Sequence, residues 1–138
     1  MGHDFDIVNH TADIGIIAYG ADLKQAFAHA ATGLFNLITD LDKVDEVVSR
    51  DIELTAPDIE SLLVDWLNDL IYIFDAENIL FKRFDISQLT PTQLKARVYG
   101  EKVNTSKHEL RRGVKAATYH MLRVAKNNGY QARVIFDI

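Results

Sequence analysis

The chain has 138 residues, 48% of them apolar, with 20 acidic against 15 basic side chains and a net charge of −5. That suits one domain with a sizeable core. It excludes a broad phosphate-binding surface, which needs clustered Lys and Arg, and leaves one local basic spot at Lys107, Arg111, Arg112 and Lys115. No cysteine is present, so disulfides, thiolate zinc sites and thiol nucleophiles are excluded and a metal would need oxygen or imidazole donors.

The opening MGHDFDIVNH lacks the basic and apolar regions of a secretory leader, and no run of roughly 18 apolar residues occurs. A soluble cytoplasmic protein is therefore expected. Phe5–Val8 reads as a short strand and Ile14–Tyr19 as a second, apolar enough to be buried on both faces. Gly20-Ala21 breaks it. Asp22 then caps a helix, with Gln25 in capping-box position. Leu23, Phe27, Ala30, Leu34 and Ile38 form its apolar stripe, and it ends near Asp40. Asp40–Glu46 is an acidic loop. Val48–Leu54 alternates as a strand with a polar side of Ser49, Asp51 and Glu53.

Thr55-Ala56-Pro57-Asp58 starts a second helix. Ile59, Leu62, Leu63, Trp66, Leu67, Leu70, Ile71 and Phe74 give it the broadest apolar face in the chain, with Trp66 as core, and Asn78 ends it. Ile79–Ile86 and Gln93–Tyr99 are strands around a turn at Thr90-Pro91-Thr92. Gly100–Arg112 is polar and loop-like, and Gly113–Tyr119 is ambiguous between helix and strand. Met121–Ala125 and Tyr130–Ile138 flank Asn127-Asn128-Gly129, a strong hairpin signal because Asn-Gly supplies positive φ angles. The order predicts a single α+β domain over residues 1–138, a mixed or antiparallel sheet packed against two main helices.

Two carboxylates occupy odd places. Asp13 stands in HTADIG at the mouth of an apolar strand, and Asp137 is one residue from the end of another. A turn and a solvated chain end explain each alone. If the strands pair, the two acids approach one another. Asp51 is a third carboxylate on a strand with a polar face. Clustered carboxylates repel, and a divalent cation is the usual relief.

In order, HTADIG, LKQAFAHAATGLFNLITD, DIESLLVDWLNDLIYIF, YGE, SKHE, VKAATYH and VIFDI together resemble the archease family over essentially the whole chain. The resemblance implies an α+β fold and a non-enzymatic protein cofactor of RtcB-type tRNA-splicing ligases, RNA being contacted mainly through the ligase. Those ligases join RNA ends with GTP and divalent metal through a guanylylated histidine of their own. The family promotes that guanylylation and multiple turnover. Matched position by position, its metal-binding acids fall on Asp13, Asp51 and Asp137, with Asp58 as the competitor of Asp51. The implied ion is Ca²⁺, with Mg²⁺ or Mn²⁺ as alternatives. A functional, cofactor-contacting lysine falls on Lys107, with Lys115 as its alternative.

Two other readings compete. One is a chaperone-like modulator of another tRNA-processing enzyme, such as a tRNA methyltransferase. The other is a small metal-dependent hydrolase with His10 or His120 as base. It ranks last, since the resemblance points elsewhere and no acid–base pair is obvious. His108 and Glu101, in the polar loop, are candidates to shape the site.

Overall fold

A computed structural model describes residues 3–9 and 13–138. His10, a candidate ligand or base, lies outside the described residues. Among those described, seven strands and two α-helices follow one another, with a short 3-10 turn at Leu41–Lys43 after the first helix: β1 (Phe5–Asn9), β2 (Asp13–Gly20), α1 (Leu23–Ile38), β3 (Val48–Thr55), α2 (Ile59–Glu77), β4 (Ile79–Thr90), β5 (Gln93–Lys102), β6 (Ala116–Lys126) and β7 (Tyr130–Asp137). The strands divide into two antiparallel sheets, ordered β1-β2-β7-β6 and β3-β5-β4. The expected α+β class holds, with two sheets where the sequence reading had one. No helix among the described residues is long and apolar enough to cross a membrane.

Both helices lie between the sheets. α1 packs on β2 and β7 of one sheet and on β4 of the other. α2 packs on β6 and on the three-stranded sheet. This explains why α1 buries far more than its predicted stripe. Ala26, Ala31, Phe35 and Leu37 are buried alongside Phe27, Ala30, Leu34 and Ile38, because a helix with a sheet on either side needs apolar residues on both faces. Phe35 is central, with Phe74, Phe81 and Phe84 around it. Gly33 marks the closest approach: a Cβ there would stand 2.9 Å from Ile16 Cδ1 and 3.2 Å from Phe5. Trp66 is fully buried and donates from its indole N–H to the Phe27 carbonyl at 3.0 Å, which confirms it as core.

The helix ends follow their predicted chemistry with small changes. Asp22 accepts from Gln25 N at 2.8 Å, but the Gln25 side chain reaches back to Ala21 N, one residue before the cap. Asp58 caps α2 through Ser61 N at 2.8 Å. Asn78 closes that helix at φ 57°, a left-handed position that Asn tolerates. β4 and β5 run further than expected, to Thr90 and Lys102. The ambiguous stretch resolves as loop through Lys115 and then β6. In the hairpin loop Asn128 and Gly129 have φ of 51° and 111°.

The loop from Val103 to Lys115 is tied down rather than free. Thr39 and Leu110 form an isolated bridge, and Thr39 Oγ1 donates to Glu109 O at 2.6 Å. Arg111 donates from its backbone to Ile38 O at 2.7 Å and from its guanidinium to Asn36 O at 3.0 Å. A cation thus meets the unsatisfied carbonyls at the end of α1.

Candidate functional site

Strand parity places the two odd carboxylates. Ile14, Ile16 and Ala18 are buried on the helix-facing side of β2, and Ala132, Val134 and Phe136 on that side of β7. Side chains alternate along a strand, so Asp13 and Asp137 must both point to the opposite, outer side. The β2–β7 register then sets Asp13 directly opposite Asp137. A slip of one residue would turn either acid into the core, so burial of the neighbouring isoleucine and phenylalanine fixes the juxtaposition.

Among the described residues the pair lacks neutralising partners. Asp13 Oδ1 is buried and has no hydrogen-bond partner among the described residues, and Asp137 is exposed. Like charges opposite one another on neighbouring strands are unfavourable, and a buried acceptor without a donor adds the cost of its lost hydration. Both defects vanish if a hard cation sits between the carboxylates. Oxygen donors alone suit Ca²⁺, Mg²⁺ or Mn²⁺, so the residues present fit such an ion. Among the described residues no group of three or more His, Asp or Glu converges to hold one.

β6 closes the other side of Asp137. Ala116 faces it, and Lys115 N donates to its carbonyl at 2.8 Å. The strand is held there by Asn68 of α2. Asn68 Oδ1 accepts from Ala117 N at 2.7 Å and its amide donates to Ala117 O at 3.2 Å. The side chain thereby stands in for a neighbouring strand at the sheet edge. Nothing in the sequence singles out Asn68, because a lone amide in a helix resembles any surface polar residue.

Asp51 is not brought to this pair. It lies on β3, in the other sheet, directly opposite Arg97 of β5. Arg97 grips it with two hydrogen bonds, Nε to Oδ1 at 2.7 Å and Nη2 to Oδ2 at 3.2 Å. That guanidinium holds the Asp51 carboxyl below its ordinary value. The expectation of a three-acid cluster is thus corrected by topology: the polar side of β3 is neutralised by the polar side of β5. Asp58, the alternative, is a helix cap with Ser61 N as partner.

Lys107 sits in a second constellation. Its Nζ donates to Asp45 Oδ2 at 2.7 Å and to both Glu101 oxygens at 2.9 Å, filling its three donor positions. Glu101 also accepts from Asp45 N at 3.0 Å and sits 3.0 Å from His108 Nε2. His108 is buried, and its Nδ1 accepts from Asn104 N at 2.9 Å. An Nδ1 acceptor requires the proton of the neutral ring on Nε2, so His108 donates to Glu101. With Lys107 as the main cause, Glu101 is lowered to about 2, while the two carboxylates raise Lys107. Lys115 is exposed and is the lysine whose backbone abuts Asp137.

The Archease protein family (MTH1598/TM1083) matches residues 5–138. The chain belongs to the archease family. It is 43% identical over 136 residues to protein archease of Sulfolobus acidocaldarius, covering 97% of this chain and 98% of that one. It is 44% identical over 137 residues to protein archease of Saccharolobus islandicus, covering 97% and 98%. The solution structure of Methanobacterium thermoautotrophicum protein 1598 superposes with a TM-score of 0.83 at 38% identity, covering 98% of this chain and 99% of that one. A crystal structure from Thermotoga maritima, described as an archease and possible chaperone, superposes at 0.67 with 20% identity over the full length of both chains, a likeness of archease fold alone.

Proposed function

We propose that this archease-family chain is a non-enzymatic protein cofactor of an RtcB-type RNA ligase, and that it promotes the ligase's GTP-dependent guanylylation and multiple turnover. The observation that carries the proposal is the facing pair Asp13–Asp137 with its unpartnered Oδ1, in a chain whose family resemblance points to that role. The pair sits at one end of the four-stranded sheet, with Asp137 exposed. Asp13 and Asp137 would hold a divalent cation, Ca²⁺ foremost. Such a cation supplies positive charge at which a partner's carboxylates or phosphates can be gathered.

The rest is the work of the protein. The β2–β7 register orients the two carboxylates, and Asn68 holds β6 against Asp137. Lys107 enters the proposal through the family match, but its ammonium is bound up with Asp45 and Glu101, whereas Lys115 adjoins Asp137 through its backbone. Replacing each by alanine decides which one the partner needs.

The test is single-turnover guanylylation of the cognate ligase with GTP and Mn²⁺. Wild-type protein is expected to accelerate it, and folded Asp13→Asn and Asp137→Asn variants to lose that effect while Asp51→Asn retains it. Absence of stimulation by the wild-type protein refutes the proposal. A chaperone-like role on another tRNA-processing enzyme is the second reading, in keeping with the description of the Thermotoga maritima relative as a possible chaperone. Under it, the two aspartate variants keep full function.

A further inference from the structure

The outer side of the four-stranded sheet carries a feature that the carboxylate pair does not use. One row across the strands reads Asp6, Ile17, Arg133, Arg123. Two guanidinium groups thus stand directly opposite one another on β7 and β6, where like charges repel. Neither forms a salt bridge among the described residues. Arg133 donates to Met121 Sδ at 3.9 Å, a weak acceptor. The acid of the row, Asp6, is two strands away, roughly 10 Å at the usual strand spacing, and is already engaged by the Tyr19 hydroxyl and His3. In a chain of net charge −5, the cheapest partner for paired arginines would have been a carboxylate of its own, and none is supplied among the described residues.

Beside them β6 leaves the ladder. Thr118 faces Ile135 and Arg123 faces Arg133, so residues 119–122 occupy the place opposite Val134 alone. The excess is taken up in a bulge with Met121 at φ 53°, a costly conformation for a residue with a side chain. The bulge leaves Tyr119 58% exposed, with His120 exposed beside it. Bulges re-aim side chains near functional surfaces.

We propose that this face binds a single-stranded nucleic acid, with Arg123 and Arg133 gripping backbone phosphates and Tyr119 presenting its ring to an unstacked base. Guanidinium groups match phosphate geometry by paired hydrogen bonds, and base–aromatic stacking is the usual complement. The acidic remainder of the surface repels a polyanion, which keeps the contact short. The site needs neither ligase, GTP nor metal, so it stands or falls apart from the function proposed above.

The experiment is an NMR titration of the ¹⁵N-labelled full chain with a short oligouridylate, chelator present. Amide shifts are expected in residues 117–125 and 131–135. For two phosphate contacts on a single strand, a fourfold rise in salt should weaken binding about sevenfold, and about two- to threefold in Arg123→Gln or Arg133→Gln. The double variant should abolish binding while melting no lower than wild type, and Tyr119→Ala should weaken binding about fivefold or more. Shifts centred elsewhere, or affinity unchanged in the double variant, overturn the proposal. Equal competition by oligoglutamate of matched charge also overturns it, and marks a docking site for an acidic protein instead.

Discussion

Replacement of Asn68 tests how the β6 edge beside Asp137 is held. The Asn68 side chain makes two hydrogen bonds to Ala117, at 2.7 and 3.2 Å, and Ala117 is buried at 5% exposure. Asn68→Ala removes both and leaves a backbone N–H and C=O unpaired at a sheet edge, where water reaches them only in part. Each unpaired buried group costs on the order of 1–3 kcal/mol, so the variant should lose about 2–3 kcal/mol, a drop of roughly 5–10 °C in melting temperature for a chain of this size. Asn68→Asp is the sharper probe, because one oxygen can still accept from Ala117 N while the other faces Ala117 O. That repulsion raises the folded-state pKa of the new carboxyl above its unfolded value near 3.9. Its stabilising, protonated form is then fully present below pH about 4 and lost as pH rises through the folded pKa. Urea unfolding should show a deficit near neutral pH that shrinks on acidification, and amide exchange should quicken at residues 116–118 in both variants. Wild-type stability in Asn68→Ala, or an Asn68→Asp deficit that does not change with pH, refutes the clamp.

Ca²⁺ added to chelator-treated protein should raise the melting temperature. The rise should vanish in Asp13→Asn and Asp137→Asn and persist in Asp51→Asn, read by differential scanning calorimetry. Glu101 is lowered to about 2 in the folded state, so its contribution to stability is present above an unfolded pKa near 4.5 and is lost as pH falls from there through about 2. Lys107→Gln removes the main cause of that shift, and NMR titration should find Glu101 moved up toward the ordinary range. Gly33→Ala gains up to about 1 kcal/mol of helix propensity. It also drives a methyl to within 2.9 Å of Ile16, an overpacking cost of about 1–3 kcal/mol, and a lowered denaturation midpoint is the expected balance.

Local chemistry was legible in the sequence because it depends on neighbours in the chain. Asp22 and Asp58 announce their helices through caps, Asn78 its helix end, and Asn128-Gly129 the final hairpin. Boundaries set by distant partners were not legible. β4 and β5 lengthen because each lends the other hydrogen bonds, and the ambiguous segment became β6 because β7 and Asn68 offered it a ladder and an edge. The split into two sheets, with α1 buried on both sides, is likewise a matter of which strand finds which.

The site divides along the same line. Alternation of Val134, Phe136 and Ile138 with Ile135 and Asp137 set Asp137 apart from the apolar side of its strand, whereas in β2, apolar enough to be read as buried on both faces, only the structure showed that Ile14 takes the core side and Asp13 the outer one. Only the tertiary register decided that the two acids face one another, because register follows from burying both apolar faces under the same helices. Topology, too, gave Asp51 to Arg97, took up all three donors of Lys107, and set Arg123 against Arg133. A carboxylate or an arginine carries its charge in the sequence; what that charge meets is chosen by strands brought together from far apart in the chain.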